Sequence, residues 1–410
     1  MQPVNHVIRS EEDLMNHFGD SQKLEILDKE LIEKLLALNI PPEIWEDASN
    51  RNLLFFNLEF VQQTKEFTFN NARIEYFYLL SFLSNLTELN LYNNKISNIS
   101  SISLLKNLTK LNLRDNYIED ISALKSLHDL THLYLQQNKL SSFTLALPNL
   151  VELKLDDNKL QDKSGLQHSP KLEILNLSET ETTDLRTIPH QLFGLKKLHL
   201  SSNNITEISY LSNFVGLQIL DLGYNEQLQN IGPLKFCTQL TELIIRDTSV
   251  TDIWPLQFMK NLKTLFMAYT QVVDLLPLQH LQELEIISAH HTCIIDVSPL
   301  QKYTLLKDLD FRNNKITNAE TLKHHQNFSQ YEFSDQQVPT TDELKFNNKI
   351  LSVHSSHKQI IKIQYEKSVS KFKESITHKK EYINLKINEQ IQVMNKRIEI
   401  IFSQNSYADQ

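Results

Sequence analysis

The chain has 410 residues, more than one compact core usually needs, so either several domains or an array of repeats is expected. Hydrophobic residues make up 40% of the sequence and charged residues 22%, a balance that excludes extended disorder. Residues 341–410 hold 12 Lys and Arg against 8 Asp and Glu, whereas the rest holds 29 against 42. An acidic body repels phosphate backbones, which argues against nucleic-acid binding by the main domain.

The sequence of residues 1–63 predicts a helical cap at the N-terminus. The first 20 residues contain no apolar run of signal-peptide length, and no window of the chain approaches 18 uninterrupted apolar residues, so no transmembrane segment is expected. Five leucines then follow at helical spacing before the stop at Pro41 and Pro42: Leu24, Leu27, Leu31, Leu35 and Leu38. Because the chain has only two cysteines, Cys237 and Cys293, without CxxC spacing, we expect a cytoplasmic protein, with the nucleus as the alternative.

From residue 64 onward the sequence repeats the phrase L-x-x-L-x-L-x-x-N-x-I. With its first leucine as position 1, repeats start at residues 64, 86, 108, 130, 150, 172, 195, 217, 240, 262, 284, 306 and 328. Positions 4 and 6 share one side of a strand and are expected to enter the core, and the Asn at position 9 can bond backbone groups that leave the sheet. Positions 11, 14, 16 and 19 are expected to supply apolar contacts on the returning side. One repeat cannot cover its own apolar side, so neighbours must stack.

A second phrase, D-[I/L/V]-x-P-L, marks the returning side, and its prolines are 22 residues apart: Pro233, Pro255, Pro277 and Pro299. Through this phrase, residues 64–339 resemble the 22-residue leucine-rich repeats of bacterial internalins and of the leucine-rich-repeat regulatory subunit of protein phosphatase type 1. The sequence therefore predicts a leucine-rich-repeat solenoid of about 13 repeats. This is an α/β-type curved horseshoe with a parallel β-sheet on its concave face and a mostly irregular or 3-10 convex side.

The sequence of residues 340–410 predicts a long helical tail. Thr340 and Glu343 form a T-x-x-E capping box directly after Pro339, and neither Gly nor Pro occurs from 341 to 410. Apolar residues then follow heptad-like steps: Val369, Phe372, Ile376, Ile383, Ile387, Ile391, Met394, Ile398 and Ile401. Three interpretations stay open, namely an amphipathic helix folded back on the repeats, a coiled coil that forms a homodimer or recruits a partner, and a fraying tail.

On the concave face, positions 3, 5 and 7 are expected to point away from the core, with position 8 at the rim. Most residues at these positions are polar, but four consecutive repeats place apolar and aromatic residues there together with Arg and His. They are Ile219, Tyr224, Ile244, Arg246, Phe266, Tyr269, Ile286 and His290. This composition is typical of a protein-binding hot spot. The alternatives are that the cap or the tail covers these residues, or that they face the core.

The remaining chemistry-bearing residues have simpler interpretations. His290, His291 and Cys293 resemble metal ligands, but adjacent residues on a strand are expected to point to opposite faces, and no fourth ligand has matching spacing. A row of carboxylates is expected to cap the turn before each proline: Asp252, Asp274 and Asp296. Four threonines replace the turn Asn and are expected to take over part of its hydrogen bonding: Thr180, Thr248, Thr270 and Thr292.

No Ser/His/Asp set, glycine-rich loop or catalytic carboxylate pair stands out, so the sequence predicts a protein without catalytic residues, cofactor or metal. The leading prediction is a scaffold that binds a protein partner on its concave face. The resemblance to the phosphatase subunit implies an alternative, a regulatory subunit that controls an enzyme. A second alternative is a cytoskeletal or membrane-surface adaptor, because residues 358–386 hold eight Lys against three Glu.

Overall fold

The computed structural model describes residues 65–68, 84–325 and 332–336. In these ranges twelve short strands form one parallel sheet in chain order. They are β1 (Glu66–Thr68), β2 (Glu88–Asn90), β3 (Lys110–Asn112), β4 (His132–Tyr134), β5 (Glu152–Lys154), β6 (Ile174–Asn176), β7 (Lys197–His199), β8 (Ile219–Asp221), β9 (Glu242–Ile244), β10 (Thr264–Phe266), β11 (Ile286–Ser288) and β12 (Asp308–Asp310). The predicted N-terminal cap (1–63) and helical tail (340–410) lie outside the described residues.

Each strand occupies positions 3 to 5 of its repeat, and the leucine at position 4 faces the core. In β6, Leu175 pairs in register with Leu153 and Leu198, and all three side chains are fully buried. The flanking Ile174 and Asn176 are only half-buried, because successive residues of a strand point to opposite sides of the sheet. We call the side formed by positions 3 and 5 the open face.

A left-handed residue at position 8 ends each strand region. The backbone φ angle is between 53° and 57° at every one of these positions that is described. The residues are Asn93, Asp115, Gln137, Asp157, Glu179, Ser202, Tyr224, Asp247, Tyr269, His291, Asn313 and Asp335. Asn and Asp tolerate this conformation better than most other non-glycine residues, so half of the row suits the turn, whereas the bulky Tyr224 and Tyr269 do not.

The Asn at position 9 joins one repeat to the next. The Asn116 side-chain nitrogen donates to the Leu113 carbonyl in its own repeat and to the Leu91 carbonyl of the preceding repeat, both at 3.0 Å. Its oxygen accepts from the backbone N–H of Ile96, also at 3.0 Å. The side-chain amide therefore provides hydrogen-bond partners for buried backbone groups in two repeats, and such buried polar groups need partners.

The prediction for the turn threonines is confirmed. Each hydroxyl donates to the carbonyl three residues earlier, as Thr248 does to Ile245 and Thr270 does to Met267, at 2.7 Å in both cases. Thr180 and Thr292 make the equivalent bonds to Leu177 and Ala289. A hydroxyl is shorter than an amide, so these threonines take over the bond within the repeat.

The returning side consists of ten 3-10 helices, none longer than five residues, in the part of the chain described. They are Ser100–Leu104, Ser122–Ser126, Ser164–His168, Leu185–Thr187, Ser209–Asn213, Gly232–Phe236, Trp254–Phe258, Leu276–Leu278, Ser298–Leu300 and Ala319–Leu322. The turn-capping prediction is confirmed, because Asp252, Asp274 and Asp296 each accept from the backbone N–H two residues later, at 2.7–2.9 Å. No helix among these residues is long and apolar enough to cross a membrane.

The expected apolar positions 16 and 19 were wrong by one residue. In the repeat that starts at Leu86, Ser101 is half-buried and Leu104 is 55% exposed, whereas Ile102 and Leu105 are fully buried. The buried positions are therefore 11, 14, 17 and 20. A 3-10 helix has about three residues per turn, so every third residue returns to the same side.

Gly165 supports a close approach between two repeats, which gives a stability prediction. A Cβ atom at this position would lie 2.7 Å from the backbone nitrogen and oxygen of Leu145 and 2.8 Å from the carbonyl oxygen of Phe143. Because backbone atoms cannot move as side chains do, we expect Gly165→Ala to destabilise the array by about 1–3 kcal/mol in denaturant unfolding.

The matched control is Gly194→Ala, because its Cβ atom would lie 3.7 Å from the nearest contact, the Leu172 carbonyl oxygen. This change should alter the unfolding free energy by less than about 0.5 kcal/mol. Equal effects of the two substitutions would mean that the close contact at Gly165 does not control stability there.

Candidate protein-binding surface

The eight residues predicted for partner binding, Ile219, Tyr224, Ile244, Arg246, Phe266, Tyr269, Ile286 and His290, lie on repeats that contain β8 to β11, and we call them the apolar patch. At its centre Phe266 pairs in register with Ile244 on the adjacent strand. Both are at position 5 and half-buried, so their side chains are on the open face. Asp221 and Ser288 flank them in the same row.

The two isoleucines at position 3 are not neighbours. Glu242 separates Ile219 from Thr264, and Thr264 pairs with Ile286. Both isoleucines are half-buried on the open face, as the sequence predicted. The apolar surface is therefore continuous only across Ile244 and Phe266, with polar side chains between its outer members.

Tyr224 and Arg246 form one edge of the patch. The guanidinium carbon of Arg246 lies 4.7 Å from the centre of the Tyr224 ring, within the range of a cation–π contact. Gly223 allows this approach, because a Cβ atom there would lie 3.2 Å from Cγ of Arg246. The tyrosine is 43% exposed even with the arginine against it.

Tyr269, His290 and His291 form the other edge. The Tyr269 ring stacks on His291 with centroids 4.4 Å apart and meets His290 edge-on at 5.0 Å. The Nδ1 atoms of the two histidines are 2.9 Å apart. The expectation that these histidines point to opposite faces was therefore wrong. The strand ends at Ser288, and the left-handed backbone of His291 turns its side chain toward its neighbour.

Charged residues beyond the predicted set continue this edge. His290 Nε2 lies 4.0 Å from Asp310, and Arg312 bridges Asp310 and Glu332 at 2.6 and 2.8 Å. Burial lowers the pKa of His290 more than Asp310 raises it, so the imidazole favours its neutral form. Although burial acts to raise the pKa of Asp310, hydrogen bonds from Arg312 hold that pKa below its usual range.

Sequence reasoning missed three members of this edge, although the 22-residue period contains the signal for them. His291 is one period after Tyr269, Asp310 is one period after Ser288, and Arg312 is one period after His290. Within residues 65–68, 84–325 and 332–336, the structure shows no group of three or more His, Cys, Asp or Glu side chains arranged to hold a metal ion.

Sequence-family comparisons match parts of the array. The family described as Leucine Rich repeats (2 copies) matches residues 106–147 and 194–235, and the family described as Leucine Rich Repeat matches residues 85–106. No curated protein sequence matches the chain.

Solved structures are similar over a larger part of the chain. An internalin, InlF, from Listeria monocytogenes is 27% identical with a TM-score of 0.67, and the match covers 77% of this chain and 91% of the internalin. A leucine-rich-repeat protein of Leptospira interrogans is 20% identical with a TM-score of 0.51, covering 66% and 84%. The ectodomain of the Arabidopsis thaliana receptor kinase GASSHO1/SCHENGEN3 is 20% identical with a TM-score of 0.50, covering 67% and 38%. The chain is a leucine-rich-repeat protein whose repeats resemble those of the internalins.

Proposed function

We propose that the chain is a scaffold that binds a protein partner on the open face, through the apolar patch. Leucine-rich-repeat proteins such as internalins are typically binding proteins without catalysis, and the Arabidopsis ectodomain was solved in complex with CASPARIAN STRIP INTEGRITY FACTOR 2. Control of an enzyme such as a protein phosphatase, and an adaptor role for the basic tail, stay predictions from the sequence.

The observation that carries the proposal is the half-exposed pair formed by Ile244 and Phe266. The same row carries polar residues on the strands before it, with Asn176, His199 and Asp221 in succession. The packing of the repeats therefore does not require apolar groups at position 5. Exposed apolar surface that the fold does not need is typical of a partner contact.

The backbone conformation of Tyr224 and Tyr269 supports the same conclusion. Both tyrosines have left-handed φ angles, 56° and 55°, where Asn93 and Asn313 stand in other repeats. The left-handed conformation costs a residue such as tyrosine about 1–2 kcal/mol, and Asn reduces that cost through local hydrogen bonds. Both tyrosines are also 43% and 49% exposed, so their contacts with Arg246, His290 and His291 leave much of each residue open to a partner.

The test measures binding and stability on the same variants. A protein captured by the immobilised full-length chain is purified and titrated by calorimetry against the wild type, Phe266→Ala and Tyr269→Asn. We expect each substitution to weaken binding by about 1–3 kcal/mol, because aromatic anchors dominate such interfaces. Tyr269→Asn should leave the melting temperature unchanged or raise it, because Asn tolerates the left-handed backbone better.

Glu88→Gln and Lys110→Gln are the controls, because these residues are on the same face but on β2 and β3. They should leave affinity unchanged. If Phe266→Ala lowers the melting temperature sharply while affinity stays intact, Phe266 belongs to the packing and the proposed surface is wrong.

A further inference from the structure

Three carboxylates beside the apolar patch have no cationic partner. Among the described residues, no Lys, Arg or His nitrogen lies within ion-pair distance of Glu242, Asp247 or Asp308. Glu242 pairs in register with Ile219, and Asp308 pairs with Ile286, so both are in the position 3 row of the open face. A carboxylate therefore lies beside each of the two isoleucines in this row.

Asp247 is in the position 8 row, one repeat from Tyr224 and one repeat from Tyr269, with the same left-handed backbone. Burial raises the pKa of this carboxyl group, and the charge of Arg246 only partly opposes the effect. A carboxylate that has lost water without gaining a hydrogen-bonded cation gains most from a cation supplied by a partner.

Four cations on this part of the open face already contact other groups of this chain. Arg246 lies against the Tyr224 ring, and Arg312 is held by Asp310 and Glu332. At the strand entrances, Lys263 and Lys307 both pair with Glu285. These four cations therefore do not pair with Glu242, Asp247 or Asp308.

The other half of the open face differs. There Glu88 pairs with Lys110 at 2.6 Å, and Glu152 pairs with Lys154 at 3.1 Å. These strand glutamates are neutralised by lysines of this chain, so their charge is not available to attract a partner. The strand carboxylates Glu242 and Asp308 beside the apolar patch differ from Glu88 and Glu152 in this respect, because no cation of the described residues pairs with them.

We propose that the apolar patch binds a basic protein segment, which places apolar side chains against Ile244 and Phe266 and Lys or Arg side chains beside the three unpaired carboxylates. This inference rests on the proposed function and adds the chemistry of the partner. Opposite charge around an apolar centre raises the association rate and rejects acidic partners, because like charges at an interface repel one another.

The probe for this proposal is a phage library of random dodecapeptides, selected on the immobilised full-length chain. Each enriched peptide is tested again on a variant with Phe266→Asn and Tyr269→Asn. Both new residues suit their positions, since Asn176 and Asn313 occupy the equivalent positions elsewhere in the array. We expect the peptides that need the patch to combine aromatic or aliphatic residues with an excess of Lys and Arg.

A second variant removes the unpaired charges through Glu242→Gln, Asp247→Asn and Asp308→Asn. We expect it to slow association of the patch-dependent peptides about tenfold and to flatten the dependence of that rate on salt. The matched control removes the same amount of charge at position 8 of distant repeats, through Asp115→Asn, Asp157→Asn and Glu179→Gln. This control should leave the rate almost unchanged.

The remaining outcomes contradict either the inference or the proposed function. Patch-dependent peptides that are neutral or acidic, or that bind equally well after the charges are removed, overturn the inference but leave the proposed function intact. Equal slowing in both triple variants overturns it as well, because net charge and not the patch would then attract the peptides. A selection without any patch-dependent peptide contradicts the proposed function, and the inference fails with it.

Discussion

Leu175→Asp is expected to unfold the repeat array. Leu175 is fully buried in β6, between Leu153 and Leu198 on the adjacent strands, so the new carboxylate would have no water and no partner. Burial of a leucine side chain contributes about 1.5–3 kcal/mol to the free energy of unfolding, and this contribution is lost in the variant. The buried charge lowers the stability further, so we expect the free energy of unfolding to fall by more than about 4 kcal/mol. Because each repeat is stabilised by its neighbours, the loss in a central repeat weakens both halves of the array.

The measurement is denaturant unfolding followed by circular dichroism, and the matched control is the adjacent residue. Ile174→Asp introduces the same side chain one position earlier, on the open face, where Glu152 and Lys197 are its neighbours. Ile174→Asp should lower the free energy of unfolding by less than about 1 kcal/mol, since its carboxylate stays in contact with water. Similar losses for the two variants would show that the assignment of strand faces is wrong.

Asn116→Ala should produce the second largest decrease in the free energy of unfolding, about 2–4 kcal/mol. The substitution removes the acceptor of the Ile96 N–H and donors to the Leu91 and Leu113 carbonyls, all in the buried part of the ladder. A buried N–H without an acceptor costs about 1–3 kcal/mol by itself. The backbone amide of Ile96 should also exchange with deuterium faster than its neighbours, which locates the defect.

Thr270→Ala provides the comparison. Thr270 occupies position 9 of its repeat, as Asn116 does, so both variants place an alanine at the same position. Thr270 donates a 2.7 Å bond to Met267 within its own repeat, so its loss should cost about 1 kcal/mol. If the two alanine variants are equally stable, the amide bonds between repeats contribute nothing beyond those within a repeat.

The period of the sequence was sufficient to predict the strands and the open face. Leu175 is at position 4, so its burial follows from the alternation of side chains along a strand. Phe266 is 22 residues after Ile244, and this interval by itself places the two side chains in register. The turn carboxylates and threonines were predictable for the same reason, because Asp252 and Thr270 bond to backbone atoms two or three residues away.

The returning side could not be placed correctly from the leucine pattern. Leu104 and Leu105 are adjacent and chemically identical, yet only Leu105 is buried. The choice between them depends on where the 3-10 helix Ser100–Leu104 begins, and tertiary packing decides that. Because both positions are leucine, the sequence pattern is compatible with burial of either one.

Contacts that cross between rows of the open face were also decided only in the tertiary structure. The sequence by itself determined that Tyr269 and His291 occupy position 8 of adjacent repeats, since they are one period apart. It did not determine that His291 stacks on Tyr269 and approaches His290, or that Arg312 holds Asp310. The period determines where each Cα atom lies along the array, whereas the direction of a side chain depends on the left-handed backbone beneath it and on the neighbours that limit its rotamers.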